Sequence, residues 1–162
     1  MRSLKICIQE KDFNIADECS AMRAGHTDIG ALVTFTGLVR EMNNEFSIQQ
    51  NISSLYLEHY PGMTEKNLQE IAGQADQRWP LLDVVIIHRV GELKVSEQIV
   101  FVGVSSMHRK TAMEACTFIM DFLKTKATFW KKSITDNAGR WIEAKKSDAE
   151  ASEKWAEVKE KR

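Results

Sequence analysis

The sequence predicts an α+β domain with mostly antiparallel strands, two main helices and a C-terminal hairpin. Three observations predict it. Apolar, β-branched runs recur along the chain, two stretches return an apolar residue every three or four positions, and a turn sequence separates two aromatic-containing segments near the end. The 162 residues suit one domain over 1–146 and a charged helical tail over 147–162, with a core large enough to need neither disulfide nor metal staples. Against 23 acidic side chains stand 22 Lys and Arg, a net charge of −1 that excludes a general nucleic-acid or anionic-membrane binder. Any anion must therefore be held by a local cluster.

Leu4, Ile6 and Ile8 alternate with Lys5, Cys7 and Gln9, the period of a strand with one buried face. Ile15, Cys19 and Met22 then predict a short helix, with Gly25 where a C-cap belongs. GALVTFTGLV (Gly30 to Val39) reads as a buried strand ending at Arg40. The polar stretch Glu41 to Asn51 lacks periodicity and reads as a mobile loop, and Ile52 to Tyr60 alternates again as a strand. After the Pro61-Gly62 turn, Leu68, Ile71, Ala72, Ala75 and Trp79 define a helix from Thr64, its expected N-cap, to a stop at Pro80. Leu82 to Val90 and Gln98 to Ser106 read as strands joined through GELKVSE. A longer helix carries Ala112, Ala115, Cys116, Ile119 and Leu123 on its core face and ends near Ala127. FWKKSIT and RWIEA flank DNAG (Asp136 to Gly139), which reads as a hairpin. From Ser147 the tail is a charged helix; Trp155 and Val158 offer it a weak anchor, but a solvated or frayed end is expected.

The uncharged run between Asp28 and Arg40 is far shorter than the roughly 20 apolar residues of a membrane helix, and charges at Lys5 and Glu10 interrupt any leader. A cytoplasmic protein is expected. Cys7, Cys19 and Cys116 are odd in number and lack C-x-x-C spacing, so a disulfide framework and a zinc site are both disfavoured. His59 and His88 lie in strand patterns with no second ligand at metal spacing and read as structural; no metal or cofactor is expected. The signals for a serine hydrolase, an NTPase or a dinucleotide binder are absent: there is no G-x-S-x-G, P-loop or G-x-G-x-x-G.

Chemistry concentrates in three places. In SSMHRK, His108, Arg109 and Lys110 crowd the first turn of the long helix, where the helix dipole disfavours cations by about 0.3–1 kcal/mol each. Free backbone N–H groups and basic side chains together make an anion site, although solvated side chains tolerated at small cost fit this segment equally well. DFLKTKATFWKK (Asp121 to Lys132) sets four lysines among apolar residues. Such a run is ordinarily a solvated face, but Lys124, one turn after Met120 and beside Leu123, can lay its stem along the core edge. Lys131 follows Trp130 in a predicted strand. Crowded or desolvated lysines have lowered pKa values and can serve as bases or nucleophiles. The third place is GLVR (Gly37 to Arg40), a strand end carrying an arginine.

TFTGLVR, LEHYPGMTEK, HRVGEL, VFVGVSSMHRKTAMEA and FIMDFLKTKATFWKK occur in this order, and with them the chain from about Gly30 to Ala144 closely resembles the large, catalytic subunit of molybdopterin synthase. The resemblance implies an α/β-hammerhead fold and a homodimer of large subunits. Each binds one small ubiquitin-like sulfur-carrier subunit to give a heterotetramer. The carrier's C-terminal Gly-Gly thiocarboxylate would give sulfur to cyclic pyranopterin monophosphate, and two transfers would create the dithiolene of molybdopterin. Catalysis falls by resemblance to Lys124, with Lys131 in support. Substrate binding falls to Leu38, Val39, Arg40, His108, Arg109, Lys132 and Ser133, with Phe35 and Met120 as apolar wall and part of the pocket coming from the neighbouring large subunit. The chain departs from the family pattern at Leu38, at Thr128 and at Ser133, where many relatives have a basic residue, a proline and an acidic residue respectively; loss of the acid leaves the role of Lys131 the least secure. Two other readings compete: a non-catalytic paralogue that still docks a carrier, which retention of Lys124 argues against, and a phosphate-binding regulatory domain, which leaves the lysine-rich string unexplained.

Overall fold

A computed structural model describes residues 1–40, 54–135, 138–142 and 146–155. The elements run β1 (Ser3–Gln9), α1 (Ile15–Arg23), β2 (Ala31–Leu38), β3 (Ser54–His59), α2 (Met63–Arg78), β4 (Asp83–Arg89), β5 (Gly91–Lys94), β6 (Gln98–Ser106), α3 (Arg109–Lys126), β7 (Phe129–Thr135), β8 (Ala138–Ile142) and α4 (Lys146–Glu153). The stretch Glu41 to Asn51, residues 52 and 53, Asp136, Asn137 and Val158 lie outside the described residues.

One sheet has the order β1-β4-β6-β2 and the other β5-β3-β7-β8. All pairs are antiparallel except β1 with β4. The central strand β4 is buried on both faces, which is why it reads as an unbroken apolar run. Its residues alternate: Val84 and Ile86 join the core under α2 and α3, Val85 and Ile87 the smaller one under α1. Cys7 packs into that smaller core while Ile6 and Ile8 face the larger, so β1 is covered on both faces rather than one. The second sheet encloses a third cluster of Val39, Leu55, Leu57 and Leu93.

Several local expectations are corrected. Gly30 to Val39 is not a buried strand: among the described residues β2 pairs with β6 alone, at the end of its sheet, and Phe35 and Leu38 are 39% and 54% exposed. An apolar β-branched run carries the same signal whether its outer edge is covered or free. GELK is not a mere connection; it forms β5 and leaves the first sheet to pair with β3. The N-cap of α2 is Gly62, with Glu65 accepting its N–H at 2.6 Å, while Thr64 is buried in the first turn and donates to the Thr128 carbonyl. Gly25 follows the Ala24 C-cap of α1 at φ +74°, a conformation that favours glycine.

Up to Trp155, the last described residue, the tail is anchored where a solvated or frayed end was expected. Trp155 stands edge-on to Trp79 (5.7 Å) and Phe118 (5.4 Å), and its carbonyl accepts from Arg78 Nη2 at 3.1 Å. Burying a large aromatic side chain is worth about 1.5–3 kcal/mol, enough to hold a short helix whose own propensity is marginal. No helix among the described residues is long and apolar enough to cross a membrane.

Candidate active site

β2, the last strand of its sheet among the described residues, and one stripe of α3 line a groove of about 380 Å³. Val33, Thr34 and Phe35 form its strand side; Met113, Cys116, Thr117, Met120, Asp121 and Lys124 form its helix side. Phe35, Met120 and Lys124, predicted separately as wall and catalyst, thus meet in one place. The helical repeat explains it, because Met113, Cys116, Thr117, Met120 and Lys124 fall at i, i+3, i+4, i+7 and i+11 on a single face. Met113, Cys116, Thr117 and Asp121 were not among the predicted site residues, although this same stripe was the signal that could have found them. Burial pushes the Cys116 thiol up to about 11, so it stays protonated and is no nucleophile.

At the same end of the molecule, the β2 register slips between Gly37 and Leu38, where Leu38 meets Gln98. Val39 N–H then donates to the Glu97 carbonyl at 2.9 Å, and Arg40 emerges exposed beyond it. The Val39 side chain is buried in the third cluster and lines no open surface.

Strand alternation divides the β7 residues. Phe129, Lys131 and Ser133 share one face, Trp130 and Lys132 the other, so Lys132 stands across the sheet from Lys131. Ser133 is buried, and Lys131 is exposed. The ring of His88 lies flat on Phe129, 3.7 Å between centroids and 14° from parallel, and its Nδ1–H donates to the Arg89 carbonyl at 2.8 Å. Burial first, with the nearby Lys131 charge adding, depresses His88 to about 4; the ring is neutral and structural, as its strand setting predicted.

The other end of α3 is built differently. His108 is the N-cap in extended conformation without a side-chain cap, and the first turn holds no acid. His108, Arg109 and Lys110 are all exposed. What fixes this end is the backbone beneath it. Ser106 Oγ donates to the Pro80 carbonyl at 3.1 Å, and Gly30 N–H donates to the Ser106 carbonyl at 3.1 Å. A Cβ on Gly30 would lie 2.1 Å from the Met107 carbonyl oxygen, so only glycine allows β2 to start this close to the helix entry.

From Arg109 to Lys124 the chain is continuous helix, about 22 Å at 1.5 Å per residue. The predicted basic residues therefore fall into two groups. Lys124 stands where α3 ends, with Lys131 in β7 just beyond that end and Arg40 after the end of β2 that meets the start of β6; His108 and Arg109 stand where α3 begins. Among the described residues no cluster of His, Cys, Asp or Glu suits a metal ion.

This α+β architecture is shared with solved structures. A Burkholderia multivorans molybdopterin cofactor biosynthesis protein E superposes with a TM-score of 0.79 at 43% identity, over 96% of this chain and 98% of that one. The Staphylococcus aureus molybdopterin synthase structure gives 0.74 at 30% identity, covering 84% and 95%. The family model described as MoaE protein matches residues 8–126. The molybdopterin synthase catalytic subunit of Vibrio cholerae is 50% identical over 151 residues, 93% of this chain and 97% of that protein. The chain belongs to the MoaE protein family.

Proposed function

We propose that the chain works as the catalytic subunit of molybdopterin synthase, a sulfurtransferase of molybdenum cofactor biosynthesis, with its chemistry centred on Lys124. It takes sulfur from the C-terminal thiocarboxylate of a small ubiquitin-like carrier subunit and passes it to cyclic pyranopterin monophosphate. Two such transfers make the dithiolene of molybdopterin. The observation that carries the reading is the groove that opens onto Lys124 between Phe35 and Met120. Its apolar walls suit a narrow extended peptide tail, and an ammonium at its end suits the negative charge that develops on the acyl oxygen as water adds to the acyl carbon and the carbon–sulfur bond breaks. Lys124 also supplies or removes protons as sulfur attacks the precursor, with Lys131 in support. Cys7, Cys19 and Cys116 are free thiols, which fits a reducing compartment such as the cytoplasm.

The separation along α3 supports a site shared between two copies. One small precursor cannot span about 22 Å from Lys124 to Arg109 on the same helix. β2 runs beside the groove at the end of its sheet, with no further strand on its outer edge among the described residues, flanked by exposed Phe35, Leu38 and Met107. Two β2 edges meeting antiparallel about a two-fold axis would set the Ala31 end of one copy, with its His108 and Arg109, against the Leu38 end of the other. His108 and Arg109 of one copy then hold the precursor's phosphate and pterin oxygens over Arg40, Lys124 and Lys131 of the next. A small carrier on each copy completes a heterotetramer.

The test is incubation of the purified chain with precursor and thiocarboxylated carrier, followed by detection of the dithiolene. Product formed only when all three are present is expected. No product above the level of carrier and precursor alone would overturn the assignment.

A further inference from the structure

Lys124 and Lys131 belong to different halves of the fold. α3 packs its apolar stripe against β4 and β6 of the first sheet, whereas β7 is a strand of the second. Only Ala127 and Thr128 join them, since α3 ends at Lys126 and β7 begins at Phe129. Lys124 lies two residues inside the end of the helix and Lys131 two residues inside the start of the strand, so a change in the joint's backbone angles swings one lysine against the other. The chain turns sharply there, with Phe129 N–H donating back to the Ala127 carbonyl at 2.9 Å.

What fastens the joint comes from α2. Thr64 and Asn67, at i and i+3 on one face of that helix, both reach it. Thr64 Oγ1 donates to the Thr128 carbonyl at 3.1 Å and accepts the Tyr60 N–H at 3.0 Å. Asn67 Nδ2 donates to the Lys126 carbonyl at 3.2 Å and to Thr128 Oγ1 at 3.0 Å. Asn67 therefore grips both sides of the joint, the last residue of the helix and the residue before the strand. An amide nitrogen carries two hydrogens, one for each acceptor, which a hydroxyl could not supply. Thr64 is buried, and its hydroxyl also closes the turn that enters α2; Asn67 is half-buried, so its amide can be removed without opening a core cavity.

We propose that Asn67 is a positioning residue of the sulfur-transfer site: its side-chain amide clamps the joint between α3 and β7 and so fixes the placement of Lys131 relative to Lys124. It acts through the backbone and touches no substrate. This rests on the roles proposed above for the two lysines.

Asn67→Ala tests it, because alanine removes both donors and is the better helix former. Single-turnover conversion should fall about tenfold, in kcat and not in the affinity for precursor or carrier, while the melting temperature stays within about 3 °C of the parent. Thr128→Val, which removes one acceptor and keeps the β-branched shape, should lower conversion by about threefold and add nothing to Asn67→Ala. The comparison that separates positioning from folding is made in Lys131→Ala: with that ammonium gone its placement no longer matters, and adding Asn67→Ala should lower conversion by less than about twofold. An Asn67 that merely supports the fold would give the same loss in either background. A second readout needs no turnover: amide hydrogen exchange followed by NMR should speed up at Phe129 in Asn67→Ala by about tenfold more than in β4. Conversion at the parent level in Asn67→Ala, an equal loss in both backgrounds, or exchange at Phe129 changed no more than in β4 would each overturn the proposal. If the parent itself made no dithiolene, or Lys131→Ala left conversion unchanged, the roles given to the lysines would fall, and exchange at Phe129 would still decide whether Asn67 clamps the joint.

Discussion

At the C-terminal end of α3, Lys124 stands over a groove walled by Phe35 and Met120, and its neighbour Asp121 is tied to a buttressed tryptophan. At the N-terminal end, His108, Arg109 and Lys110 project from a first turn without a side-chain cap from His108, over hydrogen bonds made by Ser106 and the backbone of Gly30. Packing dominates the first end, and charge the second. A group that must orient a reacting bond needs its surroundings fixed, whereas a phosphate is recognised by charge and free N–H groups and tolerates mobile side chains. Substitutions should therefore separate rate from affinity according to the end they strike.

The largest effect belongs to Lys124. Lys124→Ala should lower single-turnover conversion by about 10²- to 10³-fold while thermal unfolding stays close to the parent, because an exposed ammonium contributes little to folding. Lys124→Arg should recover only part of the rate, since guanidinium keeps the charge but cannot give up its proton near neutral pH. Conversion within about threefold of the parent in Lys124→Ala would transfer the central role to Lys131.

The support beneath that end should respond to acid. His88 is held at about 4 when folded and returns to about 6.5 when unfolded, so between these values the unfolded chain binds the extra proton. Stability is then complete above pH 6.5 and falls as the pH drops toward 4, by about 3 kcal/mol from this residue. Melting curves of the parent and of His88→Gln across that range measure it: the parent's slope should be steeper than the variant's, and equal slopes would remove His88 from the account.

At the opposite end, Arg109→Ala should weaken precursor binding by about ten- to a hundredfold, the worth of a charge-assisted contact of roughly 1.5–3 kcal/mol. Carrier affinity should not change, and calorimetric titration of each ligand separates the two. Equal losses for both would make Arg109 structural. Lys110→Ala marks the small end of the scale: its ammonium is 84% exposed and 3.9 Å from Glu114, and melting should shift by less than about 0.5 kcal/mol.

The fold was largely legible because its elements carry strong periods: the apolar stripe of α3, the continuous run of β4 and the paired segments around Asp136 and Asn137 admit few alternatives. What escaped were features that depend on partners distant in the chain. β2 and a fully buried strand share one composition, and only the order of strands shows that β2 ends its sheet among the described residues. GELK is too short to carry a period, and whether it pairs depends on β3. Trp155 is a single aromatic after a charged helix, and nothing nearby in the chain points to its contacts with Trp79, Phe118 and Asp121. The site was legible as a set of residues and not as an arrangement. Strand alternation alone separates Lys132 from Lys131, and helical rise alone separates Arg109 from Lys124, yet neither follows from the order in which the motifs occur.

That separation makes the shared site the claim most open to direct test. Chains carrying Lys124→Ala and chains carrying Arg109→Ala are mixed under conditions that exchange subunits, and conversion is followed at precursor concentrations too low to saturate Arg109→Ala. If each site draws Lys124 from one copy and Arg109 from the other, half of the randomly mixed dimers hold one intact site, and activity should return to about a quarter of the parent level. Activity no greater than the average of the two variants measured separately would contradict the account and return both residues to a single chain.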